Sequence, residues 1–168
     1  LFTTYTANLA QSVDENLKNL CGSDHARIEC LHIHSWAVRF LHENAGKQVA
    51  VAQNEELDKF WEEAILASEE FEFEAGFLKS EWEQVVQVNE ITALSDYLTV
   101  SRRGRGKTLS RPERARVWKV FLRFKEALER SGKTEWPTVI RDARRRLESS
   151  KVKLPYKAVI VDEAQDFH

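Results

Sequence analysis

The sequence predicts an α/β fold in which a partial parallel sheet is interrupted by a large helical insertion. Three observations carry this. Short β-branched or apolar segments stand near both ends of the chain, at 1–6, 27–33 and 156–161. The stretch between 54 and 147 follows helical spacing, with cap residues at matching offsets. Strands separated by helices are expected to pair in parallel through crossovers. The 168 residues suit one domain with a subdomain, and 42% hydrophobic residues supply a core, which excludes a wholly disordered chain. No apolar run approaches the ~18–20 residues of a membrane helix.

The elements follow in order. Leu1–Thr6 reads as a strand. Asn8–Leu20 is a helix with Leu9, Val13, Leu17 and Leu20 at helical spacing and Gly22 as its stop. Arg27–Ile33 alternates as a strand, with Ile28, Cys30 and His32 on one face. Ser35 is the expected cap of the next helix, which carries Trp36, Phe40 and Leu41 and ends near Gly46. Asn54–Phe77 reads as one long helix with the stripe Leu57, Phe60, Trp61, Ala64 and Ile65. Glu81–Ile91 and Leu94–Val100 read as shorter helices. Ser110-Arg111-Pro112-Glu113 is a helix start: a hydroxyl cap, a first-turn proline and a glutamate able to reach back. Val117, Phe121, Phe124 and Leu128 line that helix, and Gly132 ends it. Pro137 opens a helix to about Leu147. Tyr156–Val161 is nearly continuous apolar sequence, as in a strand buried on both faces.

Charge is segregated although the net charge is only −2. Glu55–Glu83 holds eleven acids and two lysines, read as solvated helix surface. Arg102–Arg116 holds seven basic residues and one acid, Glu113. A second basic run is Arg141, Arg144, Arg145 and Arg146. A concentrated basic stretch can bind a polyanion locally, and it can equally be a solvated face. Gly104 and Gly106 would let the loop backbone approach a ligand. Gly106-Lys107-Thr108 is not a phosphate loop, because G-x-x-x-x-G-K-[ST] needs glycine where Ser101 stands. His32 and His34 would share one side of a strand, but no partner stands at metal-ligand spacing. Cys21 and Cys30 form no CxxC pair and read as buried thiols, so a reducing cytoplasm is the expected compartment. Trp61, Trp82, Trp118 and Trp136 are expected to pack in the helical core.

The most informative segment is Val159-Ile160-Val161-Asp162-Glu163-Ala164-Gln165-Asp166. An apolar strand delivers its last residues to the carboxyl edge of a sheet, where α/β proteins bind ligands. Adjacent carboxylates there suit Mg²⁺, a hard cation, and the activation of water. This segment resembles motif II, the Walker B element, of superfamily 1 helicases of the UvrD/Rep type. Thr4-Tyr5-Thr6-Ala7-Asn8-Leu9-Ala10 is similar to motif Ia, and Ile33-His34-Ser35-Trp36-Ala37 is similar to motif Ib, in the family's order. Arg103-Gly104-Arg105-Gly106 with Arg114–Trp118 looks like the family's 1B insertion.

The resemblance implies a partial RecA-like core at 1–48 and 152–168 and a helical 1B-like insertion at 49–151. It implies that Asp162 helps hold Mg²⁺, that Glu163 activates water, and that Gln165 belongs to the same catalytic set. Gln165 and Asp166 would couple the nucleotide site to neighbouring motifs. Thr6, His34 and Ser35 would contact single-stranded DNA. Apart from the resemblance, the charge density of the basic loop predicts that Arg103, Arg105 and Lys107 contact phosphates at a duplex junction. Ile33 stands where motif Ib usually has an aromatic. The chain has no methionine and no phosphate loop of its own, so it reads as a piece of an ATP-dependent DNA helicase that works with Mg²⁺ and ATP in the longer protein and is inactive alone. The competing reading is a helical nucleic-acid-binding or protein-interaction module without a motor role.

Overall fold

The computed structural model describes residues 1–68, 73–149, 152–162 and 164. They form two compact units: Leu1–Val49 with the described part of Trp136–His168, and Ala50–Glu135.

The first unit is built on a three-stranded sheet. Strand β1 (Phe2–Thr4) leads into helix α1 (Ala7–Cys21), which Thr6 caps by accepting the Leu9 N–H at 3.3 Å. Gly22, at φ +54, and a 3₁₀ segment, Gly22–Arg27, then turn the chain into β2 (Cys30–His32). Helix α2 (Ile33–Ala45) follows directly and stops at a left-handed Gly46. The sheet order is β2-β1-β3, with β3 at Ile160–Val161, and both pairings are parallel, as the alternation of strands and helices predicts. Trp36 stacks on Phe40 at 5.0 Å within the buried face of α2.

Four expectations for this unit need correction. Ile33 ends no strand but begins α2, so the cap position falls on His32, and Ser35 lies inside the first turn. The cause is that β2 runs into α2 with no loop. Leu20, in phase with Leu9, Val13 and Leu17, is exposed near the C-terminal end of α1. Cys21 and Cys30 are half-buried free thiols rather than fully buried ones. Val159, Ile160 and Val161 are exposed: β3 is an edge strand whose described pairing is to β1 alone, through Ile160 N–H to Leu1 C=O (2.8 Å) and Asp162 N–H to Thr3 C=O (2.9 Å).

The second unit is helical: α3 (Asn54–Leu66), α4 (Ala75–Glu81) continuing through a π turn at Trp82–Gln87, α5 (Leu94–Thr99) and α6 (Arg111–Ser131). Parallel bridging of Val51 with Thr134 ties its two ends together. Its core gathers Trp61, Leu78, Trp82, Tyr97, Val117, Trp118, Phe121 and Phe124, with Trp61 stacked on Phe124 at 3.9 Å. The Ser110–Glu113 capping box forms with both reciprocal bonds, and a left-handed Gly132 ends α6. The long helix expected over 54–77 is broken. Its last turn tightens where Ser68 N–H bonds Ile65 C=O and the Ser68 hydroxyl bonds Ala64 C=O, local bonds that compete with continued helix.

Helix α7 (Trp136–Ser149) packs on α2 and belongs to the first unit, whereas the sequence reading carried the insertion to 151. Its amphipathic pattern buries Val139 and Ala143. Trp136, expected in the helical core, is an exposed first residue of α7 that sits edge-on to His34 at 4.5 Å.

Candidate functional site: the carboxyl edge of the sheet

Parallel pairing brings the three sequence motifs to one edge. Thr4 pairs with His32, so Thr6 and His34 each lie two residues beyond a matched pair. Val161 pairs with Thr3 on the other side of β1, so Asp162 emerges at the same edge. Ligands bind at this edge in α/β sheets because strand-end loops and helix N-termini converge there. Thr4 and Thr6 shape the first loop: the Thr4 hydroxyl donates to Thr6 C=O at 2.8 Å, while the exposed Thr6 hydroxyl caps α1.

His32 and His34 meet although they stand on different elements. His34 Nδ1 lies 2.9 Å from His32 Nε2, so one ring donates and the other accepts. Burial lowers the pKa of both, and the neighbouring His32 adds to the effect on His34. The pair is therefore held neutral. Exposed Ser35 lines an open cleft of about 590 Å³ with Val38, Arg39, His42, Gln48, Val49 and Trp136. Behind the cleft, Arg39 binds Glu29, and the Tyr156 hydroxyl joins both; Trp36 Nε1 donates to Tyr156 at 3.3 Å. Hydrogen bonding from Arg39 holds the Glu29 carboxyl below its usual range, against the upward push of burial.

Of the candidate residues after β3, Asp162 is described, whereas Glu163, Gln165 and Asp166 lie outside the described residues. No cluster of three or more metal-ligating side chains occurs among the described residues. Mg²⁺ in nucleotide sites commonly takes one or two carboxylates and fills its remaining positions with phosphate and water, so a single strand-end Asp162 fits that donor set.

The basic loop of the second unit departs from a freely solvated surface. Arg102 and Arg105 both bind Glu81, which is fully buried. Tyr97 adds its hydroxyl at 2.9 Å, and Arg105 also reaches Ser80 and Gln84. Lys107 holds its ammonium 4.2 Å over the Phe73 ring. Arg114 donates to the carbonyls of Tyr97 and Val100. Arg103 is exposed. Burial pushes Glu81 up, but bonds from Arg102, Tyr97 and Arg105 outweigh it and keep the carboxylate ionised.

Glu81 thus corrects the assignment of the whole acidic stretch to solvated surface. A signal was present: Glu81 falls in the apolar phase of Leu78, Trp82 and Val85. Trp136 gave no such signal, since its aromatic character fits a core position equally well.

No helix among the described residues is long and apolar enough to cross a membrane. A comparison with curated protein sequences finds no match. The family model of the UvrD/REP helicase N-terminal domain matches residues 1–168. The order of the three motifs, their convergence at one sheet edge and this full-length match agree, and the chain belongs to the UvrD/REP helicase N-terminal domain family.

Proposed function

We propose that this chain serves an ATP-dependent DNA helicase or translocase that couples Mg-ATP hydrolysis to movement along single-stranded DNA. One observation carries the reading: the carboxyl ends of β1, β2 and β3 lie side by side at one edge of the parallel sheet. Thr6, His34 and Ser35 then serve the single strand, next to an acidic motif that serves the nucleotide. Asp162 supplies a hard oxygen to Mg²⁺, Glu163 activates the attacking water, and Gln165 and Asp166 link the nucleotide state to the DNA-facing loops. The bound magnesium nucleotide supplies the phosphoryl group and the charge neutralisation for its transfer. The 1B-like role of the helical insertion and the junction contacts of its basic loop belong to the same proposal.

The 168 residues contain no G-x-x-x-x-G-K-[ST], so this chain alone should show no Mg-dependent ATP turnover. Turnover that vanishes in Asp162→Ala would overturn that expectation. In the helicase completed by a phosphate loop, Glu163→Gln should leave ATP binding intact and lower kcat by about 10²–10⁴-fold, the usual contribution of a general base. Unchanged kcat would remove Glu163 from catalysis and favour a binding module with no motor role.

A further inference from the structure

Arg102, Arg103 and Arg105 fall within four residues, and packing divides them. Arg105 N–H bonds Arg102 C=O at 3.2 Å, and Gly104 takes φ +81 while Arg103 keeps a negative φ. That is the pattern of a type II turn, whose third position favours glycine. The flanking arginines point inward. Arg102 Nη2 reaches Glu81 Oε2 at 2.9 Å, and Arg105 Nε reaches the same oxygen at 3.2 Å. Arg102 Nη1 also donates to Lys107 C=O at 2.8 Å, which ties down the returning strand of the loop. Arg103, at the second position of the turn, is left exposed at its apex.

A turn fixed from within loses little conformational freedom when a ligand arrives. A guanidinium held at its tip offers forked donors to phosphate oxygens. We infer that Arg103 is the arginine of this turn that contacts nucleic-acid phosphate, and that Glu81 is a positioning residue acting through Arg102 and Arg105. The inference rests on the nucleic-acid reading above. Of the trio Arg103, Arg105 and Lys107, it turns Arg105 inward beside Arg102, leaves Lys107 over the Phe73 ring, and assigns the phosphate contact of the turn to Arg103.

The test titrates the 168-residue chain against a labelled single-strand/duplex junction oligonucleotide at several salt concentrations. Arg103→Ala should reduce the slope of log K against log salt by about 0.7–0.9, one phosphate contact, and leave the unfolding midpoint unchanged. Arg103→Lys should restore the slope. Glu81→Gln should weaken binding at every salt concentration without changing the slope, and should cost nothing further in an Arg103→Ala background. If Glu81→Gln shows no cooperative unfolding transition, Arg105→Lys takes its place in that cycle. A wild-type slope in Arg103→Ala, or additive losses in the double variant, overturns the inference while leaving nucleic-acid binding intact. Absence of salt-dependent binding by the wild-type chain overturns the nucleic-acid reading itself, and this inference with it.

Discussion

Each of the two units contains a glutamate that accepts from an arginine and a tyrosine, at different depths. In the helical unit, Glu81 accepts from Arg102 and Tyr97, with exposures of 0% for the acid and 5% for Arg102. In the sheet unit, Glu29 accepts from Arg39 and Tyr156, with exposures of 34% and 38% for the ion pair. Both carboxyls are held below their usual range and both tyrosines are pushed above theirs, Tyr97 mainly by burial. The contacts differ in one respect, since Glu81 also accepts from Arg105 whereas Arg39 also donates to Tyr156, and the consequences of breaking them differ more. Water can re-solvate Arg39 when Glu29 is lost, whereas Arg102 and Arg105, at 5% and 15% exposure, have far less access to it. Depth, together with the second arginine, makes the Glu81 cluster the structural one.

The sharpest way to break this comparison is a pair of truncations. Glu81→Ala should destabilise the helical unit by about 3–5 kcal/mol, the usual cost of leaving a buried charge unpaired. Glu29→Ala should cost about 1 kcal/mol or less, because its partner stays in contact with solvent. Denaturant unfolding followed by tryptophan fluorescence suits the first, since Trp61, Trp82 and Trp118 all lie in the core around it. Equal losses for the two variants would show that burial does not set the difference.

Helix caps provide a finer comparison. Ser110 and Glu113 satisfy two backbone donors at the start of α6, so Ser110→Ala should cost about 1 kcal/mol. Thr6 satisfies one, at 3.3 Å, and Thr6→Ala should cost about half as much. Thermal unfolding of both variants checks the ranking. A larger loss at Thr6 would mean that its hydroxyl stabilises more than α1.

Acidification should give the smallest effect and should separate the units by pH. His32 and His34 have folded pKa values below the ordinary 6.5, so the unfolded chain takes up protons first. The stability they contribute is complete above about pH 6.5 and falls as pH drops below it. Glu81 is also depressed, but from an ordinary value of 4.5, so its contribution is retained until pH falls below that. Between these limits, hydrogen exchange should speed up in α2 relative to α6 after correction for intrinsic rates, and His34→Gln should reduce the difference. Equal protection at pH 7 and pH 5.5 would remove the histidine pair from the stability of the sheet unit.

Much of the fold was legible along the chain. The Ser110-Arg111-Pro112-Glu113 start, the stops at Gly22, Gly46 and Gly132, and the stripe from Val117 to Leu128 are local signals, each read within one or two turns of helix. The strand segments and the three motifs were equally visible, and their convergence followed once the sheet was parallel. At Glu163, Gln165 and Asp166, which lie outside the described residues, the reading stands on sequence alone. Ser35 was misplaced as a cap because nothing local shows that β2 enters α2 without a loop.

The sequence by itself determined the start of α6 at Ser110, the helix stops at Gly22, Gly46 and Gly132, the three segments that hold strands, and which family the motifs resemble, because capping, periodicity and motif spacing act over a few residues. Only the tertiary structure decided that β1 lies between β2 and β3, that β3 pairs with β1 alone among the described residues, and that Glu81 turns two of three neighbouring arginines inward. The physical reason is range. Arg102 and Arg105 meet Glu81 across 21 and 24 residues of chain, and Tyr156 meets Glu29 across 127. Charge counted along a sequence cannot reveal which charges packing will bring together and desolvate.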